Sequence, residues 1–323
     1  MIQGEKILIS GVSGMVAQPL ARHLAKDNEV WGIARFGLAG DRAVENYKPA
    51  TGGDPGRDLS PREDLEAAGI TTRSVDLGVA DFSELPDDFT YVLHLSWFRA
   101  DLAHLEAAMR TNVEGPGLLL HHCRKAKAAL VMSGMGIYSP IEDPHHAYTE
   151  TDAIGRGATA YAATSPASKM GVEAVARYCA RAYGLRTVIT RLNTFFGGPI
   201  SFPGMHVASV LNGQTMTAPS DPNIHTPIHW LDMIDQLESL LDAASTPAFI
   251  TNWCGDTDIT AQDWIAVASD MSGKPGSIVS KYVPGSPAGT RADPTRRRSV
   301  TGPCKVDIAA AYRDLCTEMI AAH

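Results

Sequence analysis

Short apolar runs alternate with longer stretches whose apolar residues recur at helical spacing through the first two-thirds of the chain. The run Lys6-Ile7-Leu8-Ile9-Ser10 predicts a buried strand, and Pro19–Lys26 predicts the helix after it. Val30–Ala34, Ile70–Asp76 and Tyr91–Leu95 read as the next three strands. A long helical stretch is expected from about Ala100 to Ala128, then a fifth strand at Leu130–Ser133, a helix at Lys169–Tyr183 and a sixth strand at Arg186–Leu192. Strands separated by helices need crossover connections, which are right-handed in nearly all cases, and the outcome is an α/β fold: a doubly wound, mostly parallel sheet with helices on both faces. Two stretches interrupt the rhythm, Phe36–Pro61 and Ser139–Pro166, and loops of that length in such proteins are usually functional. From about Gly197 the pattern loosens, with helices expected at Trp230–Ala244 and Thr260–Ser272. The expected division is therefore 1–196 for the sheet domain and 197–323 for a smaller lobe, partly interleaved with the first.

Composition narrows the partners. The 323 residues carry 28 Lys+Arg against 36 Asp+Glu, a formal charge of -8. A nucleic-acid backbone needs a basic face, and the only dense basic run is Arg296-Arg297-Arg298, so no nucleic-acid partner is expected. No apolar stretch reaches the roughly 18 residues that cross a bilayer, so no membrane partner is expected either. The N-terminus lacks a signal-peptide pattern. Cys123, Cys179, Cys254, Cys304 and Cys316 are an odd set at wide spacing with no CxxC pair, which suits a reducing cytoplasm better than a disulfide framework or a zinc site.

The segment Gly11-Val12-Ser13-Gly14-Met15-Val16-Ala17 lies between the first strand and its helix. Gly11 permits the tight turn, Gly14 lets backbone N–H groups approach a pyrophosphate, and small Ala17 allows close helix–strand packing. The helix N-terminus adds free donors and a positive dipole end. That context makes the sheet domain a Rossmann-type dinucleotide-binding domain. The second strand ends Ala34-Arg35, with no acid before Asp41. A carboxylate there would hold a ribose 2′-hydroxyl, whereas an Arg accommodates a 2′-phosphate, so NADP(H) is the expected cofactor. Asp76-Leu77 ends the third strand, where a carboxylate reaches an adenine amino group or caps a turn.

These segments, with Val92-Leu93-His94-Leu95, Thr111-Asn112-Val113-Glu114-Gly115, Ser168-Lys169-Met170-Gly171-Val172-Glu173, Arg191-Leu192-Asn193 and Pro227-Ile228-His229-Trp230-Leu231-Asp232, resemble the extended short-chain dehydrogenase/reductases, the epimerase/dehydratase-like family. The resemblance spans nearly the whole chain. The second-strand end looks like the NADP-using members related to cinnamoyl-CoA and dihydroflavonol reductases. It implies that Lys169 holds the nicotinamide ribose hydroxyls, that Leu95 borders the cofactor, that Asn112 supports the site, and that the protein is a homodimer acting on a small-molecule substrate.

The resemblance fails where the chemistry lies. The family places a Tyr four residues before the Lys as acid/base, assisted by a Ser or Thr after the fifth strand. Here those positions hold Ser165 and Gly134, with Ser133 beside the latter. Ser165-Pro166 reads equally as a helix start, since Ser caps and Pro begins helices. Serine is far too weak an acid to take over a phenol's role directly. Tyr161, nearest to Lys169, leads the substitutes, followed by Tyr138, Tyr148 and the pair His145-His146; each reads otherwise as packing or a solvated loop. The expected catalytic set is therefore Lys169, Tyr161 and Ser133. Arg296–Arg298 offers an anion grip or a solvated basic turn, and Met205, His206 and Trp230 offer a substrate lining or plain core. Three functions stay open: an NADP-dependent oxidoreductase on a small carbonyl or activated C=C substrate, with Gly134-Met135-Gly136 offering backbone donors; a lyase or isomerase that retains its cofactor; and a non-catalytic cofactor sensor.

Overall fold

A computed structural model describes residues 2–36, 61–157, 163–282 and 284–323. The chain divides into two compact units, Met1–Ile137 with Ala158–Arg191 and Gln236–Thr251, and Tyr138–Gly157 with Leu192–Asp235 and Asn252–His323. The sequence boundary at 196/197 falls inside the second unit's middle segment.

The first unit carries the sheet. Its strands are β1 (Lys6–Ser10), β2 (Glu29–Ala34), β3 (Thr71–Ser74), β4 (Tyr91–His94), β5 (Ala128–Gly134) and β6 (Thr187–Leu192), with Phe249–Trp253 as the seventh. The order is Phe249–Trp253, β6, β5, β4, β1, β2, β3. β1 pairs in parallel with β2 (Ile7 opposite Val30) and with β4 (Ile7 opposite Tyr91), and β2–β3 and β4–β5 are parallel too. The chain winds outward from β1 through β2 to β3, then restarts on the other side of β1 with β4 and β5. The carboxyl ends of β1 and β4 thus flank the switch point, where open α/β sheets bind ligands. β1, β4 and β5 are apolar almost throughout because helices cover both faces of a parallel sheet. Leu8, Ile33, Val92, Leu119, Val131, Val172 and Ile189 form the core.

Helix α1 (Ala17–Leu24) follows β1, and α3 (Ser165–Tyr183) follows β5. The single helix expected from Ala100 to Ala128 is broken. It runs as a 3₁₀ turn Leu102–His104, a helix Leu105–Met109, a π-helical turn Arg110–Glu114 and α2 (Gly115–His122). Pro116 accounts for the π turn: it lacks the N–H that would bond the Asn112 carbonyl, and its ring crowds that carbonyl. Gly115 is required here, because a Cβ on it would lie 2.2 Å from the Leu77 carbonyl oxygen.

The second unit packs α4 (Phe202–Leu211), α5 (Ala261–Ser272) and α7 (Ile308–Ala321) around Phe196, Val210, Trp264, Ile265 and Tyr312. The short helix α6 (Thr295–Thr301) lies between α5 and α7 in the chain. Thr260 caps α5 with a full capping box to Asp263, which starts this helix where its sequence says it should start.

Candidate functional site

The turn after β1 is built as its glycines require. Gly11 has φ +73°, open to glycine, and a Cβ there would stand 2.7 Å from the Ser96 Cα. Its N–H and that of Val12 both donate to the Ile33 carbonyl, at 2.8 and 3.2 Å, tying the turn to β2. A Cβ on Gly14 would meet one protein atom among the described residues, the Gly11 carbonyl oxygen at 3.0 Å. Val16 stands at the N-cap of α1 with no side-chain cap, and the first turn has no acid. Gly11, Gly14 and Met15 are half-exposed, whereas Ser13 and Val16 are buried beneath them. An uncapped helix start facing an open glycine turn is the donor set a pyrophosphate needs, so the residues present fit a bound dinucleotide.

The neighbouring strand ends complete this edge. Arg35 holds its guanidinium 5.7 Å from the Phe98 ring centroid. Asp76 Oδ1 accepts the Gly78 N–H at 2.8 Å, so the turn-capping reading of this carboxylate is realised on that oxygen. Leu77 and Leu95 are buried, and the Leu95 N–H donates to the Ser10 carbonyl at 3.2 Å. Ser10 Oγ and His94 Nδ1 lie 2.8 Å apart between the paired ends of β1 and β4. Burial, helped by the nearby Lys169 charge, pushes the His94 imidazole down to about 3, so it is neutral.

The segment after β4 links this turn to the helix of Lys169. Ser96 faces Gly11. Its neighbour Trp97 places its indole under Lys169, with Nζ 3.5 Å from the ring centroid. Asn112 fixes the segment from the π turn: its Oδ1 accepts the Phe98 N–H and its Nδ2 donates to the Phe98 carbonyl, each at 2.8 Å. Thr164 Oγ1 fixes it again by donating to the Ala100 carbonyl at 2.9 Å.

Lys169 is 7% exposed. Desolvation lowers its amine to about 7, with Glu173 pulling upward and Arg99 downward. Glu173 is itself engaged in a buried fork with Arg191, two contacts of 2.9 Å. Among the described residues Lys169 Nζ makes no hydrogen bond or ion pair, and its close contact is the face of the Trp97 ring.

Ser165 is the first residue of α3, with Thr164 at the N-cap and Pro166 next, so the helix-start reading of Ser165-Pro166 holds with a shift of one position. The Ser165 hydroxyl faces Gly136, 3.5 Å from where a Cβ would be. Ser133 is 1% exposed and its Oγ has no hydrogen-bond partner, and Gly134 is buried beside it. Of the three glycine-turn residues expected to offer donors, Gly136 alone is exposed. Tyr161 lies outside the described residues.

The remaining candidates lie in the second unit, and most are occupied structurally. The Tyr138 hydroxyl donates to Asn252 Oδ1 at 2.6 Å, and its ring stacks on Tyr148 with centroids 5.0 Å apart. The Tyr148 hydroxyl accepts the Ile141 N–H at 2.9 Å and donates to the Ser139 carbonyl at 3.4 Å, while burial raises its pKa. His146 Nε2 contacts Asp152 Oδ2 at 3.0 Å, and His145 is exposed. The basic run is neither a grip nor a solvated turn throughout. Arg297 is fully buried against Asp256, the Gly302 carbonyl at 2.7 Å and Thr301 Oγ1 at 3.2 Å, while Arg296 and Arg298 lie 3.9 and 4.0 Å from Glu150 and Asp256. Met205 is 48% exposed, whereas His206 is buried with Phe202 and Trp264.

Sequence reasoning missed Trp97 and His225. His225 Nδ1 lies 2.9 Å from Thr194 Oγ1 and 2.8 Å from Thr290 Oγ1, and its Nε2 lies 2.8 Å from Asn223 Oδ1. Burial drives this imidazole down to about 3. Neither residue carries a local signal, since a Trp after a strand and a His in a two-residue strand both read as packing. Among the described residues no group of three or more His, Cys, Asp or Glu is placed to hold a metal ion, and no helix is long and apolar enough to cross a membrane.

The sequence model of the NAD dependent epimerase/dehydratase family matches residues 7–218. No curated protein gives a significant sequence match. Among solved structures, a UDP-glucuronic acid 4-epimerase from Bacillus cereus, in complex with UDP-glucuronic acid and NAD, is 18% identical, with 97% of this chain and 99% of that chain covered and a TM-score of 0.75. A UDP-N-acetylglucosamine 4-epimerase from Methanobrevibacter ruminantium M1, in complex with UDP-N-acetylmuramic acid, is 17% identical over 100% of both chains, with a TM-score of 0.77. A dTDP-glucose 4,6-dehydratase from Streptomyces venezuelae, with NAD and TYD bound, is 19% identical over 97% of this chain and 96% of that chain, with a TM-score of 0.73. At these identities the likeness concerns the fold.

Proposed function

The chain belongs to the NAD dependent epimerase/dehydratase family, and from that premise we propose that it is a nicotinamide-dinucleotide enzyme acting at a hydroxyl-bearing or carbonyl carbon of a small-molecule substrate, with NADP(H) preferred. One observation carries the reading: the single segment Ser96–Trp97 touches both the glycine turn at Gly11 and the buried amine of Lys169. The turn proposed for a dinucleotide's phosphates and a buried amine are thereby linked at the switch point of one sheet.

In this reading the turn of Gly11, Ser13, Gly14, Met15 and Val16 lines the pyrophosphate, the Gly11 and Gly14 N–H groups being bonded to the Ile33 and Gly11 carbonyls. Arg35, its guanidinium 5.7 Å from the Phe98 ring centroid, receives the 2′-phosphate through a charge-assisted fork. Asp76 and Leu77 border the adenine, and Leu95 and Lys169 border the nicotinamide ribose. The bound cofactor supplies hydride acceptance and return, while the protein supplies orientation, charge and the proton. Asn112 and Thr164 hold the Trp97 segment still, which keeps the amine aimed.

Net oxidation or reduction of a carbonyl or activated C=C substrate is the first form of this reading. A cofactor-retaining epimerase or dehydratase acting on a nucleotide sugar is the second, favoured by the full-length likeness to proteins whose names state those activities. Five free cysteines support a cytoplasmic protein. Exposed Leu118, Met170 and Tyr178 on α2 and α3 support a homodimer through those helices.

Calorimetry with NADP and NAD tests the cofactor: micromolar or tighter binding with NADP favoured is expected, and no affinity for either removes the reading. Absorbance at the nicotinamide band then separates the two forms. Steady oxidation of NADPH with carbonyl or enone substrates supports the first. Conversion of UDP-glucose, UDP-glucuronic acid or dTDP-glucose with no net absorbance change supports the second.

A further inference from the structure

Position 165 holds a hydroxyl too weakly acidic to exchange protons at neutral pH, Ser133 Oγ is sealed in the sheet, and Tyr138 and Tyr148 have committed their hydroxyls. We propose that the Lys169 amine, seated on the indole face of Trp97, is itself the group that exchanges the proton with the substrate oxygen. This rests on the dinucleotide reading above and goes beyond it by assigning the acid/base.

Geometry carries the assignment. A lysine that merely stabilises a fold is expected to end on a carboxylate or on carbonyls. Lys169 is buried at the carboxyl end of the sheet, and among the described residues its Nζ makes no hydrogen bond or ion pair. Among the described residues, three charged or titratable groups act on it or on its surroundings. Glu173, one turn along α3, has both carboxylate oxygens engaged by Arg191 from β6, so its charge is largely answered. His94 from β4 is neutral, and Arg99 from the segment after β4 is a like charge. Among the described residues the proton is held on nitrogen by the Glu173 charge and by the indole face, which attracts an ammonium by its quadrupole. Desolvation favours the free amine and Trp97 favours the ammonium, and such opposition suits a group that must take a proton and return it.

The step balances with the oxidised dinucleotide as co-reactant. The substrate O–H bond breaks and its proton forms a new N–H bond on Lys169 Nζ. The O–H electron pair becomes the second bond of the carbonyl, and the hydride leaving the same carbon carries its pair to the nicotinamide ring. The return direction reverses each transfer. Lys169 is the catalytic residue in this proposal, and Trp97 is a positioning residue.

The test starts without substrate. Protein labelled with ¹³C at lysine Cε and loaded with NADP is titrated by NMR, and the Lys169 signal is assigned by its loss in Lys169→Gln. A midpoint near 7 is expected. Trp97→Leu, which keeps apolar bulk but removes the π face, should lower it by roughly half a unit to one unit, with Trp97→Phe between. A midpoint near the ordinary lysine value of about 10.4 overturns the proposal whatever the substrate proves to be. With UDP-glucose, UDP-glucuronic acid or dTDP-glucose, single-turnover change in nicotinamide absorbance should rise through the same midpoint. Lys169→Gln should slow it at least about a hundredfold and erase the inflection, with cofactor affinity followed by calorimetry so that lost binding is not mistaken for lost chemistry. An inflection that survives Lys169→Gln, or that vanishes in Tyr161→Phe, overturns the assignment. Failure to bind either coenzyme would show first in calorimetry, so collapse of the cofactor reading is distinguishable from a wrong choice of base.

Discussion

Two buried cations, one in each unit, are treated in opposite ways. Arg297 of the second unit is fully buried, and its guanidinium meets Asp256, Thr301 Oγ1 and the Gly302 carbonyl, with Nε alone left without a hydrogen bond. Lys169 of the first unit is nearly as deep, yet it ends on an aromatic face and, among the described residues, makes no hydrogen bond or ion pair. A guanidinium cannot lose its proton in a protein, so burying one demands a full set of acceptors. An amine can escape the same cost by deprotonating. Arg297 is thus a closed structural joint, and Lys169 an open group whose charge state is negotiable.

The largest expected effect comes from opening the closed joint. Asp256→Asn leaves a buried guanidinium without its countercharge and should cost about 3–5 kcal/mol in urea unfolding, nearly independent of pH between 6 and 9. Asn112→Ala strands the Phe98 N–H and carbonyl and should cost about 2–3 kcal/mol, with weaker cofactor binding because the Trp97 segment loosens. Arg35→Gln should weaken NADP about 10- to 100-fold in calorimetry and leave NAD unchanged, since a charge-assisted fork to the 2′-phosphate is all that is removed. Last is Lys169→Met, which should stabilise the protein by an amount that shrinks as pH rises. The folded amine has the lower pKa, about 7, so the wild type carries its full burial penalty below that pH and sheds it as pH rises toward the unfolded lysine's value. The gain should therefore be greatest near pH 6 and vanish above about pH 10.5. A stability loss at pH 6 instead would make Lys169 a joint like Arg297.

The two sites were also unequally legible. The glycine turn could be placed because strand, turn and helix are contiguous, and the structure puts Gly11 and Gly14 where the spacing demands. Lys169 was found through resemblance, and its helix by period. The helix expected from Ala100 to Ala128 kept its direction but not its regularity, since the effect of Pro116 on the turn before it is hard to see in a periodic pattern. Arg297 was hidden inside a basic triplet. Only a folded helix turns the middle arginine inward while its neighbours stay at the surface, half exposed. Trp97 left no trace, because its partner lies 72 positions away.

The chain by itself determined the alternation of strand and helix, the phosphate-sized turn after β1, an arginine where a carboxylate would select the unphosphorylated coenzyme, and the loss of the phenol and hydroxyl expected near Lys169. Those properties depend on neighbours within a few residues, where backbone sterics, capping and period act. The tertiary structure decided which polar groups are spent and which remain open: Tyr138 bonded to Asn252, Arg297 locked to Asp256, and Lys169 set on Trp97. Burial and partner choice are sums over atoms brought together from distant positions, and desolvation, the effect that sets the charge of Lys169, exists only once those atoms have excluded water.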